Sequence, residues 1–121
     1  MVNKLYIFFS IILISSCAIS ADGFNIEVTE ITSSGVDGER AGFCSDFNLS
    51  IDEAQNFFNE SELVSAEDIH NHFSVLPCFV SGVAELNNQI CLWTVRAGGT
   101  GNIKCEAESY LHACDDCLPT P

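Results

Sequence analysis

The hydrophobic pattern is clearest in residues 76–107, where it predicts three antiparallel strands. The run Leu76–Leu86 is rich in apolar and β-forming residues, and the run Gln89–Ala97 repeats this composition. Between them lies Asn87–Asn88, two residues that tolerate positive φ and therefore suit a two-residue hairpin turn. This turn would place Gly82 opposite the only tryptophan of the chain.

The register of the third strand depends on the glycine-rich turn Gly98–Gly101. A loop with an even number of residues would place Arg96 opposite Ile103 on the apolar face, whereas an odd number opposes Cys91 to Cys105. Directly opposed cysteines can lie close enough to form a disulfide. The pattern therefore predicts an odd loop and a cross-strand Cys91–Cys105 disulfide.

Two short amphipathic helices are predicted before these strands, at Ile51–Asn59 and at Ala66–Phe73. Ser50 and Glu53 form a capping box for the first helix, and Ser65 caps the second. Because helices of this length need packing to persist, both should dock on the sheet. We expect them on the face that carries Phe79, Val83, Ile90 and Leu92, which is also partly apolar.

These elements predict a small α+β domain: an antiparallel sheet of three or four strands, two short helices packed on one face, and stabilising disulfides. The alternating run 24–32 is expected to add an edge strand, and residues 33–42 read as a glycine-rich loop. Residues 17–43 would then be an N-terminal strand and linker. We place the compact domain at 44–117 and a disordered tail at 118–121.

The first 16 residues predict a secretory signal peptide rather than part of the fold. Lys4 precedes an apolar run, Leu5–Ile14, that is too short for a membrane span. The segment that ends at Cys17 resembles a bacterial lipobox, which implies a lipidated Cys17 that attaches the protein to a membrane of the cell envelope. The alternative is ordinary cleavage after Ser20 or Ala21, which predicts a secreted protein.

The chain is strongly acidic, with 17 Asp and Glu residues against 4 Lys and Arg. All 17 lie beyond the signal segment, where Arg40, Arg96 and Lys104 are the only basic residues, so the mature net charge is 3 − 17 = −14. Such a surface repels nucleic acid and anionic lipid head groups. It fits either a well-solvated surface or a basic protein as partner.

Six cysteines remain outside the signal segment and indicate an oxidising compartment with a disulfide framework. We expect the pairs Cys91–Cys105, Cys114–Cys117 and Cys44–Cys78, in that order of preference. The main alternative joins Cys44 and Cys78 to Cys114 and Cys117. The segment Glu108–Cys117 is also expected to hold a short fourth strand and a tight cysteine turn.

The sharpest cluster with ligand chemistry is His112, Cys114 and Cys117. These residues could supply three zinc ligands, but a second C-x-x-C pair is missing. Asp115 and Asp116 would raise a thiol pKa, which disfavours a redox role. The cluster therefore predicts a structural disulfide, with zinc as a weak candidate and no cofactor.

Two other runs suggest chemistry only weakly. His70 and His72 point about 200° apart on a helix, so they cannot chelate one ion together, and His72 should be half-buried. The turn Gly98–Gly101 joins two strands and does not open a helix, as phosphate-binding loops do. No catalytic residue is predicted.

Several segments resemble small exported proteins of proteobacteria that are described only as hypothetical proteins or lipoproteins. They are Cys44–Phe47, Leu76–Cys78 with Gly82, Trp93–Thr100 and Tyr110–Cys117, so the resemblance covers residues 44–117. It implies an exported location and no assigned activity.

The sequence as a whole predicts a lipid-anchored, non-catalytic protein of the bacterial cell envelope with a binding or structural role. One alternative is an inhibitor or immunity-type protein that presents an acidic face to a basic enzyme. A second is a small metal- or thiol-active protein that uses residues 112–117. Function is expected on the acidic helices or at the Cys114–Cys117 end of the chain.

Overall fold

A computed structural model of the protein describes residues 25–38 and 46–119. The elements in chain order are β1 (Ile26–Val36), α1 (Ile51–Glu60), β2 (Glu62–Val64), α2 (Ala66–His72), β3 (Cys78–Leu86), β4 (Gln89–Arg96), β5 (Thr100–Cys105) and β6 (Glu108–Ala113). The predicted signal segment 1–16, the predicted lipidation site Cys17 and Cys44, the predicted disulfide partner of Cys78, lie outside the described residues.

The strands form one antiparallel sheet in the order β1-β3-β4-β5-β6-β2. The α+β class is confirmed, but the expected size of three or four strands is wrong, because the sheet has six. β1 extends to Val36, into the segment predicted to be a loop. β2 is only three residues long, too short to produce a recognisable alternation.

Both predicted hairpin registers are confirmed. Asn87 and Asn88 adopt φ values of 53° and 70°, as the two-residue turn between β3 and β4 requires. Residues 97–99 form an odd loop between β4 and β5, which places Cys91 opposite Cys105. Their Cα atoms lie 4.4 Å apart and the two cysteines form a disulfide.

The main core lies between α1 and one face of the sheet, which we call the inner face: Val80, Ala84, Cys91, Trp93, Val95 and Ile103. The capping box of Ser50 and Glu53 starts α1, and the helix buries Ala54, Phe57 and Phe58. The Phe58 ring meets the Trp93 indole edge-on, with ring centroids 6.1 Å apart. The Trp93 Nε1 donates a hydrogen bond of 3.0 Å to the carbonyl oxygen of Val83, so the N–H group of the buried indole has a hydrogen-bond acceptor.

The packing of α1 on the sheet depends on a glycine in β5. A Cβ atom at Gly101 would lie 2.8 Å from Cε2 of Phe57 and 3.0 Å from the carbonyl oxygen of Thr94. Such separations are shorter than van der Waals contact. The missing side chain at this strand position therefore lets the Phe57 ring pack directly on the backbone.

The opposite face, which carries Phe79, Val83, Ile90 and Leu92, we call the outer face. The expectation that helices cover it is wrong for these residues, since Ile90 and Leu92 are 67% and 60% exposed. α2 buries no residue. It borders the outer face at β5 and β6, near Asn102 and Leu111. The two helices thus lie on different faces, with Phe57 and Phe58 of α1 packed on the inner face.

The edge strand β1 is irregular and partly capped. Its pairing with β3 shifts at Thr29 and again at Thr32, which indicates two β-bulges. The Gln55 side-chain amide of α1 donates to the carbonyl oxygen of Ile26 (2.9 Å) and accepts from the amide of Val28 (2.8 Å). This amide occupies backbone groups that an added strand would otherwise use.

At the other end of the chain, Leu118 packs against the core and is half-buried, although the sequence assigned it to a disordered tail. Cys117 precedes it and is also packed against the core. Both residues therefore contribute apolar contacts to the rim of the core.

Replacing Gly101 with alanine tests the packing of α1 on the sheet. We expect Gly101→Ala to lower the free energy of unfolding by about 2 kcal/mol, because the new methyl group must displace the Phe57 ring or the β4 backbone. The matched control is Gly35→Ala, whose Cβ would make an ordinary contact of 3.5 Å with Phe79. Urea unfolding monitored by Trp93 fluorescence should separate the two variants, and equal stability would contradict the proposed packing.

Candidate functional site

The C-terminal cysteine turn is closed by a disulfide. Cys114 and Cys117 are bonded to each other, with Cα atoms 5.6 Å apart. This pairing excludes the alternative in which they bond to Cys44 and Cys78. Cys78 itself is disulfide-bonded and buried, and its predicted partner Cys44 lies outside the described residues.

The predicted zinc cluster is not assembled in the expected form. In the described part of the chain, one group has ligand atoms within 4.8 Å of one another: Cys114, Asp116 and Cys117. His112 does not belong to that group. Since the two sulfur atoms are joined to each other, neither is available as the thiolate that zinc binding requires.

His112 belongs to the core rather than to a surface site. It is 3% exposed, and its Nδ1 lies 3.0 Å from the hydroxyl oxygen of Ser61 at the C-terminal end of α1. Its ring meets Phe58 edge-on at a centroid distance of 5.2 Å. Burial lowers the pKa of His112 to about 4, so the imidazole is neutral at physiological pH.

The histidines of α2 lie on the surface. His70 and His72 are both exposed, so the expectation that His72 is half-buried is wrong. α2 packs too loosely on the sheet to bury either ring, although its capping box of Ser65 and Asp68 is complete.

A cavity of about 310 Å³ lies between α2 and the outer face, and Arg96 is its one charged lining residue. A guanidinium nitrogen of Arg96 lies 2.8 Å from a carboxylate oxygen of Asp37. Another donates weakly to the carbonyl oxygen of Leu76, at 3.4 Å, and the group lies over the Phe79 ring. Arg96 therefore ties the end of β1 to the start of β3, which is a structural role.

Among the described residues, several carboxylates line an open groove of about 560 Å³, which we call the acidic groove. Its carboxylates come from the end of α1, from β2, from α2 and from the cysteine turn: Glu60, Glu62, Asp68, Asp115 and Asp116. All five residues are exposed, and the lining contains no lysine or arginine. The resulting negative potential favours cationic groups and opposes anions.

The groove lies between the two regions on which function is expected, the acidic helices and the Cys114–Cys117 end of the chain. The sequence could not indicate that these two regions meet. They do so because β2 pairs with β6 and brings Glu62 opposite Ala113, next to the cysteine turn. The sequence does not predict β2, so it does not predict the contact between the acidic helices and the cysteine turn either.

Neither helix in the described part of the chain has the length and hydropathy that a membrane span requires. Comparison with known proteins gave no match, whether with family models, with curated proteins or with solved structures. The resemblance to exported proteins of proteobacteria therefore stays a prediction.

Partial reduction tests the state of the cysteines. In the native protein we expect no thiol that reacts with a thiol reagent among the cysteines of the two pairs. Mild reductant should open Cys114–Cys117 before Cys91–Cys105, because the first pair is half-buried and the second is 2% exposed. Differential alkylation read by mass spectrometry gives the order. Free Cys114 and Cys117 in the untreated protein would contradict the disulfide and revive the metal or thiol alternative.

The buried His112 predicts a specific loss of stability in acid. The unfolded chain binds a proton at an imidazole pKa of 6.5, whereas the folded chain binds it only near 4. The free energy of unfolding should therefore fall as pH drops from 6.5 to 4, by about 2 kcal/mol after allowance for solvent screening.

The comparison variant is His112→Asn, which can keep a hydrogen bond to Ser61 and does not titrate. Urea unfolding across this pH range should show its stability deficit shrinking as pH falls. The same substitution at exposed His70 controls for removal of an imidazole from the chain. A deficit for His112→Asn that stays constant with pH would show that His112 is not the group responsible.

Proposed function

We propose that the chain is an exported, non-catalytic protein of the bacterial cell envelope that binds a basic protein. The observation that carries this proposal is the acidic groove, where five carboxylates face solvent with no lysine or arginine in the lining. Among the described residues the one ion pair, Arg96–Asp37, lies outside the groove lining. The charge of the groove carboxylates is therefore not neutralised by a described lysine or arginine, although Asp68 also accepts a hydrogen bond from the amide of Ser65.

Export is supported by several features of the chain. Disulfides at Cys91–Cys105 and Cys114–Cys117 form and persist in an oxidising compartment. The apolar segment within residues 1–16 has the length of a secretory signal. On the lipobox reading, Cys17 carries the lipid that holds the protein at a membrane, and on the alternative reading the protein is secreted without an anchor.

The groove also favours a second candidate, an inhibitor or immunity-type protein that blocks a basic enzyme. A volume of about 560 Å³ has room for basic side chains that protrude from a partner surface. This candidate differs from the first in its consequence, since binding would abolish an activity of the partner. An activity assay of any captured basic enzyme distinguishes the two.

A salt titration with a defined cationic probe tests the proposal. The mature, oxidised chain should bind a lysine-rich peptide of about ten residues, and the affinity should fall about tenfold between about 50 mM and about 300 mM NaCl. The triple variant E60Q/E62Q/D116N should weaken binding about fivefold at the lower salt concentration, because it removes three groove charges.

The matched control is D46N/D52N/E106Q, which removes the same charge at exposed positions outside the groove. We expect it to change affinity by less than about twofold. A salt-independent affinity, or no binding at all, would contradict the proposed cationic partner. An equal loss in both triple variants would show that net charge acts without the groove.

A further inference from the structure

The outer face carries an apolar patch, which we define as the half-buried Val83 and the exposed Ile90 and Leu92. Ile90 and Leu92 are two positions apart on β4, so they share a face, and Val83 is paired directly with Leu92 across β3 and β4. Their exposed fractions, 67% for Ile90 and 60% for Leu92, are the two highest among the exposed large apolar residues of the described chain. Adjacent exposed apolar side chains of this kind favour an interaction surface.

The side of the patch toward β1 is bordered by carboxylates. Glu85 is paired with Ile90 across β3 and β4 and with Glu27 across β1 and β3, and Glu30 is paired with Val83. Carboxylates that are directly opposite on neighbouring strands repel each other and destabilise the sheet. A cation placed over Glu27 and Glu85 would relieve that repulsion.

The sheet edges are poorly suited to accept a partner strand. β1 is interrupted by two bulges, and the amide of Gln55 occupies the outward backbone groups of Ile26 and Val28. The opposite edge strand, β2, is three residues long. Regular strand pairing is blocked in this way at β1 and limited at β2. A partner is therefore expected to bind the open face of the sheet rather than to add a strand at an edge.

We infer that the patch docks an amphipathic, cationic helix of the partner protein. The apolar stripe of that helix would cover Val83, Ile90 and Leu92, and its basic residues would lie over Glu27, Glu30 and Glu85. Lys104, which is paired with Leu92 on the β5 side, fixes the orientation by repelling a basic flank from that side. The inference rests on the proposed function and names the segment of the partner that binds.

The acidic groove and the patch would contribute differently to binding. Exposed charges mainly accelerate encounter and make it sensitive to salt, whereas desolvated apolar contacts slow dissociation. Groove substitutions should therefore lower the association rate, and patch substitutions should raise the dissociation rate.

Two synthetic peptides of about 14 residues, with the same leucine and lysine content, test the inference. One places its leucines at helical spacing on a single stripe, and the other has them scattered. In surface binding kinetics, the mature oxidised chain should bind the striped peptide at least about tenfold more tightly. Equal affinity for the two peptides would overturn the patch inference and leave the proposed function standing, whereas binding of neither would overturn both.

Paired substitutions identify the surface. Ile90→Thr with Leu92→Thr keeps strand-forming residues and should raise the dissociation rate of the striped peptide about tenfold, which removes the preference. Glu27→Gln with Glu85→Gln should weaken binding about threefold at low salt. The matched control, Leu63→Thr with Val75→Thr, alters two exposed apolar residues outside the patch, at 50% and 58% exposure, and should leave the kinetics unchanged.

Two further measurements distinguish other occupants of the patch. If anionic phospholipid vesicles bind the native chain but not the Ile90→Thr, Leu92→Thr variant, the patch binds a lipid surface and the inference of a cationic helix is overturned. If analytical ultracentrifugation shows a dimer that the same variant does not form, the patch binds a second copy of the chain and the inference is again overturned. Unchanged circular dichroism and Trp93 fluorescence establish that each variant is folded, and an equal loss of binding in the matched control would also overturn the inference.

Discussion

The packing of Phe57 and Phe58 on the inner face is the interaction on which the rest of the structure depends. α1 has ten residues and would not persist alone, so its burial against the sheet stabilises helix and sheet together. Phe57 reaches the β5 backbone because Gly101 has no side chain, and Phe58 contacts both Trp93 and His112. Through Gln55, the same helix also caps the edge strand β1.

Because α1 occupies the inner face, the outer face is left without a long helix. α2 borders only part of it, so Ile90 and Leu92 of the patch stay exposed beside the half-buried Val83 and three carboxylates. The short β2 follows α1 directly and carries Glu62 to the cysteine turn, where the acidic groove forms. The position of one helix therefore determines both surfaces on which the proposed binding function depends.

Local features could be predicted from the sequence, and features that join distant segments could not. The hairpin at Asn87–Asn88 and the Cys91–Cys105 disulfide follow from turn chemistry and from alternation within one continuous stretch. The face that α1 covers was predicted wrongly, because both faces of β3 and β4 carry apolar residues and the pattern alone does not rank them. The acidic groove depends on the pairing of β2 with β6, and three residues give no periodic signal.

The central claim is that α1 covers the inner face and leaves Ile90 and Leu92 open to a partner. Methyl NMR of the mature chain in the presence of a neutral gadolinium chelate measures this directly, since the chelate accelerates relaxation of methyl groups that it can approach. The methyl groups of Ile90 and Leu92 should relax several-fold faster than those of Val80, Val95 and Ile103, which are fully buried. Equal protection of Ile90 and Ile103 would show that the outer face is covered and would contradict the account.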